Sequence, residues 1–162
     1  GGFWLTTNHG ATWTTTTDQM PTIGVSAIAV DYSNPSVILI GTGDRDAGDA
    51  PGLGVLRSTD GGTTWTPWRN GMPDVTVGKI IQHPGNPLIF LAATSGGIYR
   101  TINGGALWTL SARGDFKDIC FKPANPSVVY ATKDSDFYRS SDNGLTFTQI
   151  TSGLTTGQRG AT

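Results

Sequence analysis

Apolar positions along this chain fall into short runs bounded by Gly, Pro, Asn, Asp and Ser, and none recurs with the spacing of a helix face. Three of the runs, SVILIG, LIFLAA and SVVYAT, directly follow Asn34-Pro35, Asn86-Pro87 and Asn125-Pro126. Asn-Pro starts a turn, and the β-branched and aromatic residues after it predict a strand. In the best-defined stretch the pattern predicts four strands, at 75–82, 88–94, 97–101 and 107–110, with turn residues between them.

The same pattern repeats. Thr6 to Trp13 (TTNHGATW), Ser58 to Trp65 (STDGGTTW), Thr101 to Trp108 (TINGGALW) and Ser140 to Phe147 (SSDNGLTF) align without gaps as Ser/Thr-x-Asp/Asn-x-Gly-x-x-Trp/Phe. Their glycines, Gly10, Gly62, Gly105 and Gly144, lie 52, 43 and 39 residues apart. Four short strands per period of ~40 residues predict an all-β propeller segment of about three and a half blades, an incomplete ring. The expected division is 1–17 for the last two strands of a blade, then blades at 18–70, 71–111 and 112–151, and a link at 152–162. Since a closed propeller has ~4–8 blades, the remaining ones are expected from the same or another chain.

Composition sharpens this picture. The 23 Gly and 9 Pro serve as blade punctuation, and 36% apolar residues, including 5 Trp, are enough for a core. With 14% charged residues and a net charge of −1, there is no basic surplus for a nucleic-acid backbone. No apolar run approaches the ~20 residues of a membrane span. Cys120 is the only cysteine, which excludes an internal disulfide, and its Ile119-Cys120-Phe121 setting reads as an inert strand position.

In each motif the acidic or amide residue, Asn8, Asp60, Asn103 or Asp142, is expected to accept backbone N–H bonds two residues on. The glycine supplies a positive φ, and Trp13, Trp65, Trp108 or Phe147 packs over the turn. The motif resembles the Asp-box, or BNR repeat, of sialidases, sortilin-type Vps10 domains, xyloglucanases and photosystem II assembly factors. That resemblance implies a propeller in which these residues are structural. The run GTGDRDAGDAPGLGVLRSTDGGTTW is most similar to secreted Bacteroidetes Asp-box proteins, many of them type IX secretion cargo, and this implies an extracellular or cell-surface bacterial location.

One repeat is interrupted. Asn34 precedes Asp60 by 26 residues, whereas Asn86 and Asn125 precede Asn103 and Asp142 by 17. Pairing Gly43 with Ser95 and Leu53 with Gly96 makes residues 44–52, DRDAGDAPG, the insertion between the second and third strands of its blade. In a four-stranded meander that loop emerges on the rim opposite the Asn-Pro and motif turns, the side on which propeller active sites usually form. Asp44, Arg45, Asp46 and Asp49 concentrate charge in a chain otherwise poor in it.

Three chemistries fit the insertion. An Arg45 ion pair can tie down a polar loop; Asp44, Asp46 and Asp49 can ligate Ca²⁺ through hard carboxylate oxygens, although the spacing is not that of an EF-hand; and Asp44 or Asp46 can serve as one acid of a glycosidase pair. The resemblance to sialidases would imply an arginine triad with a Tyr/Glu pair, and the chain has no Glu. Outside the insertion, Trp68 and Arg69 form a candidate sugar-stacking or interface position, with inter-blade packing as the alternative. Arg57, Arg100 and Arg139 share one repeat position and are read either as stems packed on aromatic neighbours or as an anion-binding row. His9 and His83 sit in turns without ligand partners in local spacing.

These observations make a binding and interaction module within a secreted propeller the first expectation, with a protein or polysaccharide ligand. The alternatives are part of a xyloglucanase-like glycoside hydrolase completed by groups outside these residues, or a structural component of a larger surface assembly.

Overall fold

The backbone bonds of each repeat decide where its strands begin. The computed structural model describes residues 2–22, 24–45 and 48–153, so Asp46 and positions 154–162 of the expected link lie outside the described residues. A two-stranded hairpin, β1 (Trp4–Leu5) and β2 (Thr14–Thr15), precedes three antiparallel meanders. The first is β3 (Val25–Val30), β4 (Ile38–Thr42), β5 (Val55–Ser58) and β6 (Thr66–Pro67). The second is β7 (Val77–Gln82), β8 (Phe90–Thr94), β9 (Gly97–Thr101) and β10 (Thr109–Arg113). The third is β11 (Asp118–Phe121), β12 (Val129–Lys133), β13 (Asp136–Ser140) and β14 (Thr148–Ile150).

Three of the four strands of the middle blade depart from the expected bounds. The first starts at Val77 rather than 75, because the Val75 carbonyl accepts from the Gly54 N–H and the Thr76 N–H donates to Ser95 Oγ. The second strand of the middle blade starts at Phe90 rather than 88, because the N–H groups of Leu88 and Ile89 already donate to the side chain and carbonyl of Asn86. The fourth runs Thr109–Arg113, past residue 111, with a bulge between Leu110 and Ala112. Leu107 and Trp108 are withheld from it: their N–H groups donate to Asn103 Oδ1 and to the carbonyl of Asn70 in the preceding link.

The sheets stack face to face as blades. Side chains alternate across a strand, and β8 shows the consequence: Phe90 and Ala92 join the core shared with Leu39, Val55 and Val77, while Leu91 and Ala93 join that shared with Ile119, Val129 and Ala131. β4 and β8 are buried at every position, which explains their unbroken apolar runs. Each fully buried Leu, Ile or Phe contributes ~1.5–3 kcal/mol relative to exposure. The first strands of successive blades lie side by side on the inner edge, where the Ser26 hydroxyl donates to the carbonyl of Val77 at 2.6 Å. Blades arranged this way form an all-β propeller segment and an incomplete ring.

Candidate functional site

The two rims are built differently. On one, each Asn-Pro turn docks on the motif turn of its own blade: Gly61, Gly104 and Asn143 donate their N–H groups to the carbonyls of Ser36, Leu88 and Ser127, all at 2.9 Å. Within the motif, Asp60 Oδ1 accepts from the N–H of Thr64 at 2.9 Å and Oδ2 from the Thr64 hydroxyl at 2.6 Å. Asn8, Asn103 and Asp142 likewise accept from Thr12, Leu107 and Thr146. The principal acceptor reach is therefore four residues, not the expected two. The two-residue bonds instead go to the leading hydroxyls, as Asp60 N–H donates to Ser58 Oγ, and the same hydroxyl takes the Gly62 N–H at 2.8 Å.

These bonds set the charge of the turns. Hydrogen bonds from the Thr64 side chain and backbone, and from Ser58, hold Asp60 at a pKa of about 2. Burial works to raise Asp142, but the bonds from Ser140 and Thr146 outweigh it and hold it at about 2 as well. Gly10, Gly62, Gly105 and Gly144 have φ between 78° and 91°, the left-handed region that glycine enters without strain.

Two of the motif aromatics, Trp65 and Trp108, join blades, whereas Trp13 is exposed. Trp65 Nε1 donates to Thr16 Oγ1 at 3.0 Å in the preceding hairpin, and Trp108 Nε1 to the carbonyl of Trp68 at 2.9 Å. Trp68 is half-buried in the same junction: its Nε1 donates to the carbonyl of Gly104 at 2.9 Å, and the Arg57 guanidinium lies 4.6 Å from its ring centre. An exposed stacking platform at Trp68 is thus replaced by inter-blade packing, and Arg69 pairs with Asp74. Arg100 Nε donates to the carbonyl of Asn143 in the next blade at 3.0 Å, while Arg57 packs on Trp68 within its own blade, so neither stands in an open anion row. His83, read from sequence as an unpartnered turn residue, is buried: its Nδ1 accepts from the Gly85 N–H and its Nε2 lies 3.2 Å from Asn143 Oδ1 in the next blade. Cys120 is exposed on β11.

The opposite rim carries the insertion. Thr42 closes its neck, its Oγ1 donating to the carbonyl of Gly54 at 2.8 Å and accepting the Leu53 N–H at 2.7 Å. Thr94 makes the same two bonds, to the Gly97 carbonyl and from the Gly96 N–H, around the short turn of the middle blade. The pairing of Leu53 with Gly96 is thereby visible in the bonding itself. Above the neck, the Asp44 N–H donates to the carbonyl of Ala50 at 3.1 Å and closes the loop. Asp49 is exposed.

Arg45 leaves this loop and crosses two blades. Its Nη2 donates to the carbonyl of Phe116 and pairs with Asp115 Oδ1, both at 2.6 Å, in the segment entering β11. Asp115 also pairs with Lys117 at 2.5 Å. Burial works to raise the Asp115 carboxyl, yet hydrogen bonds from Lys117 and Arg45 and their charges hold it below the usual carboxylate range. The Arg45 partners were not legible in the sequence, where they lie about 70 residues away. Among the described residues, no group of three or more His, Cys, Asp or Glu side chains converges on a metal-sized site, and Asp46, the third calcium candidate, is not among those residues.

No family model matches the chain. It is 28% identical over 171 residues to the xyloglucanase Xgh74A of Acetivibrio thermocellus, a match that takes in 82% of this chain and 20% of the relative. The chain therefore spans about a fifth of the length of the curated relatives it matches. Among solved structures it superposes on an ancestral GH74 enzyme with a TM-score of 0.77 at 22% identity, covering 94% of this chain and 22% of that one. The GH74 xyloglucanase from Xanthomonas campestris gives 0.72 at 21% identity over 98% of this chain and 28% of that one. YCF48 from Cyanidioschyzon merolae gives 0.57 at 17% identity over 80% and 38%. At these identities the structures show a shared propeller fold.

Proposed function

We propose that this chain forms part of a polysaccharide-degrading propeller hydrolase whose insertion rim faces a glycan of the xyloglucan class. The observation that carries the reading is the 28% identity to a xyloglucanase, in a match that takes in 82% of the chain. It favours the hydrolase over the binding module that the motif alone suggests. On this reading Asp44 or Asp46 supplies one carboxyl group, and the second acid comes from outside these residues. A glycosidase pair needs carboxyl groups ~5 Å apart when retaining and ~6.5–9.5 Å when inverting, which a facing element provides more readily than a neighbouring aspartate. Asp49 and Arg45 shape the same rim, and Asp44, Asp46 and Asp49 remain the candidate calcium set.

The substrate class places the protein outside the bacterial cell, where such polysaccharides occur. The remaining blades come from the same polypeptide or from another chain.

The test is release of reducing sugar from xyloglucan and from unbranched β-glucans by the full polypeptide, wild type against Asp44→Asn and Asp46→Asn. We expect at least one variant to lose 100-fold or more in kcat with its melting temperature held. Undiminished turnover in both would remove the catalytic role, and glycan binding without turnover in the wild type would return the protein to the binding-module class.

A further inference from the structure

We infer that Arg45 is a positioning residue that fixes the insertion from two blades away. This rests on the proposed glycan-facing role of the loop for its functional consequence, but not for its mechanics. The Thr42 hydroxyl holds the neck at Leu53 and Gly54, backbone bonds close the loop at Asp44 and Ala50, and the Gly54 N–H ties the neck to the carbonyl of Val75, in the entry to the second blade, at 3.0 Å. Arg45 carries the anchoring one blade further, to the segment entering β11. Its side chain is 13% exposed although it ends on an ion pair, because the stem lies along the start of β7. Gly78 makes room for it: a Cβ there would sit 3.1 Å from Arg45 Nε and 3.2 Å from Cδ. Nη2 makes both contacts, to the Asp115 carboxylate and the Phe116 carbonyl, and it lies one bond farther along the side chain than a lysine Nζ would.

The consequence is a loop whose lateral position depends on the third blade. Asp115 is held by Lys117 as well, so the anchor stands in place before Arg45 arrives. Small displacements matter at such a site, since misplacing a reacting group by ~1 Å can cost ~10²-fold in rate.

The test uses the full polypeptide with three variants. Arg45→Lys shortens the reach to the anchor, Asp115→Asn removes the anchor's charge, and Gly78→Val blocks the groove without touching either partner. Amide hydrogen exchange without glycan is expected to rise at least fivefold across 48–52 in all three, with the motif turn at Asn103–Gly105 unchanged. Exchange at wild-type rates across 48–52 in Arg45→Lys and Gly78→Val would overturn the strap. With xyloglucan, kcat is expected to fall at least tenfold in Arg45→Lys while KM moves less than threefold. Faster loop exchange in the variants, together with a wild type that turns over no glycan, would leave the strap standing and sink the proposed function instead.

Discussion

Trp108 donates its indole N–H across a blade boundary to the main-chain carbonyl of Trp68, 2.9 Å away, while Trp68 donates back to the carbonyl of Gly104. The two tryptophans form a reciprocal clasp between the first and second blades. Trp108 is almost completely buried, so it contributes both packing and one satisfied polar group. Trp108→Phe, which installs the residue already present at Phe147, is expected to cost ~1–3 kcal/mol, mainly from the carbonyl left unpaired. Trp108→Ala should cost ~3–5 kcal/mol through the cavity as well. Denaturant titration of the two variants separates the terms: a Trp108→Phe variant as stable as wild type would mean the hydrogen bond contributes nothing, and equal losses in both would mean the cavity adds nothing.

The motif glycines offer a matched pair. Gly105 and Gly10 have φ of 91° and 87°, but a Cβ at Gly105 would meet Trp68 Cδ1 at 2.6 Å, whereas at Gly10 it would meet only Trp13 at 3.8 Å. Gly10→Ala is therefore expected to show backbone strain alone, ~1–2 kcal/mol. Gly105→Ala should lose more and also shift the Trp68 fluorescence as the ring is displaced. The same cost at both positions would contradict the clasp.

Acid sensitivity should follow the two titrating copies of the motif. Asp60 and Asp142 have folded pKa values of about 2, below the ordinary carboxylate value near 3.8. A depressed folded pKa contributes stability that is fully present above the unfolded pKa and is lost as pH falls through the folded one. The window is thus between about pH 4 and pH 2. Asp60→Asn and Asp142→Asn copy the amide of Asn8 and Asn103, which keeps the Oδ1 acceptor without a titrating group. The double variant should lose stability less steeply than wild type in that window, as followed by circular dichroism. An identical acid slope would show that these carboxylates do not set it.

Much of the fold is readable in the chain because its signals are local. Asn-Pro turns, the hydroxyl at the head of each motif and the glycine four residues later all act within one hairpin, so their chemistry is written in adjacent letters. The insertion is legible for the same reason: Thr42 and Thr94 close a long and a short version of one turn. What joins blades is less legible. Trp68 carries no mark separating a sugar platform from a junction residue until Arg57 and Gly104 are placed against it. The Arg45 contacts with Asp115 and Phe116, and the His83 contact with Asn143, depend on how consecutive sheets stack, and residues 60 or more positions apart meet only then.

The proposed activity requires the insertion rim, not the turn rim, to meet the glycan. Hydrogen exchange of the full polypeptide, with and without a xyloglucan oligosaccharide at saturating concentration, reads both rims in one experiment. We expect protection of at least threefold at 48–54 and 114–117, on the insertion rim, with no change at the Asn-Pro and motif turns of 31–36 and 59–64. Protection confined to the turn rim, or none at either, would contradict it.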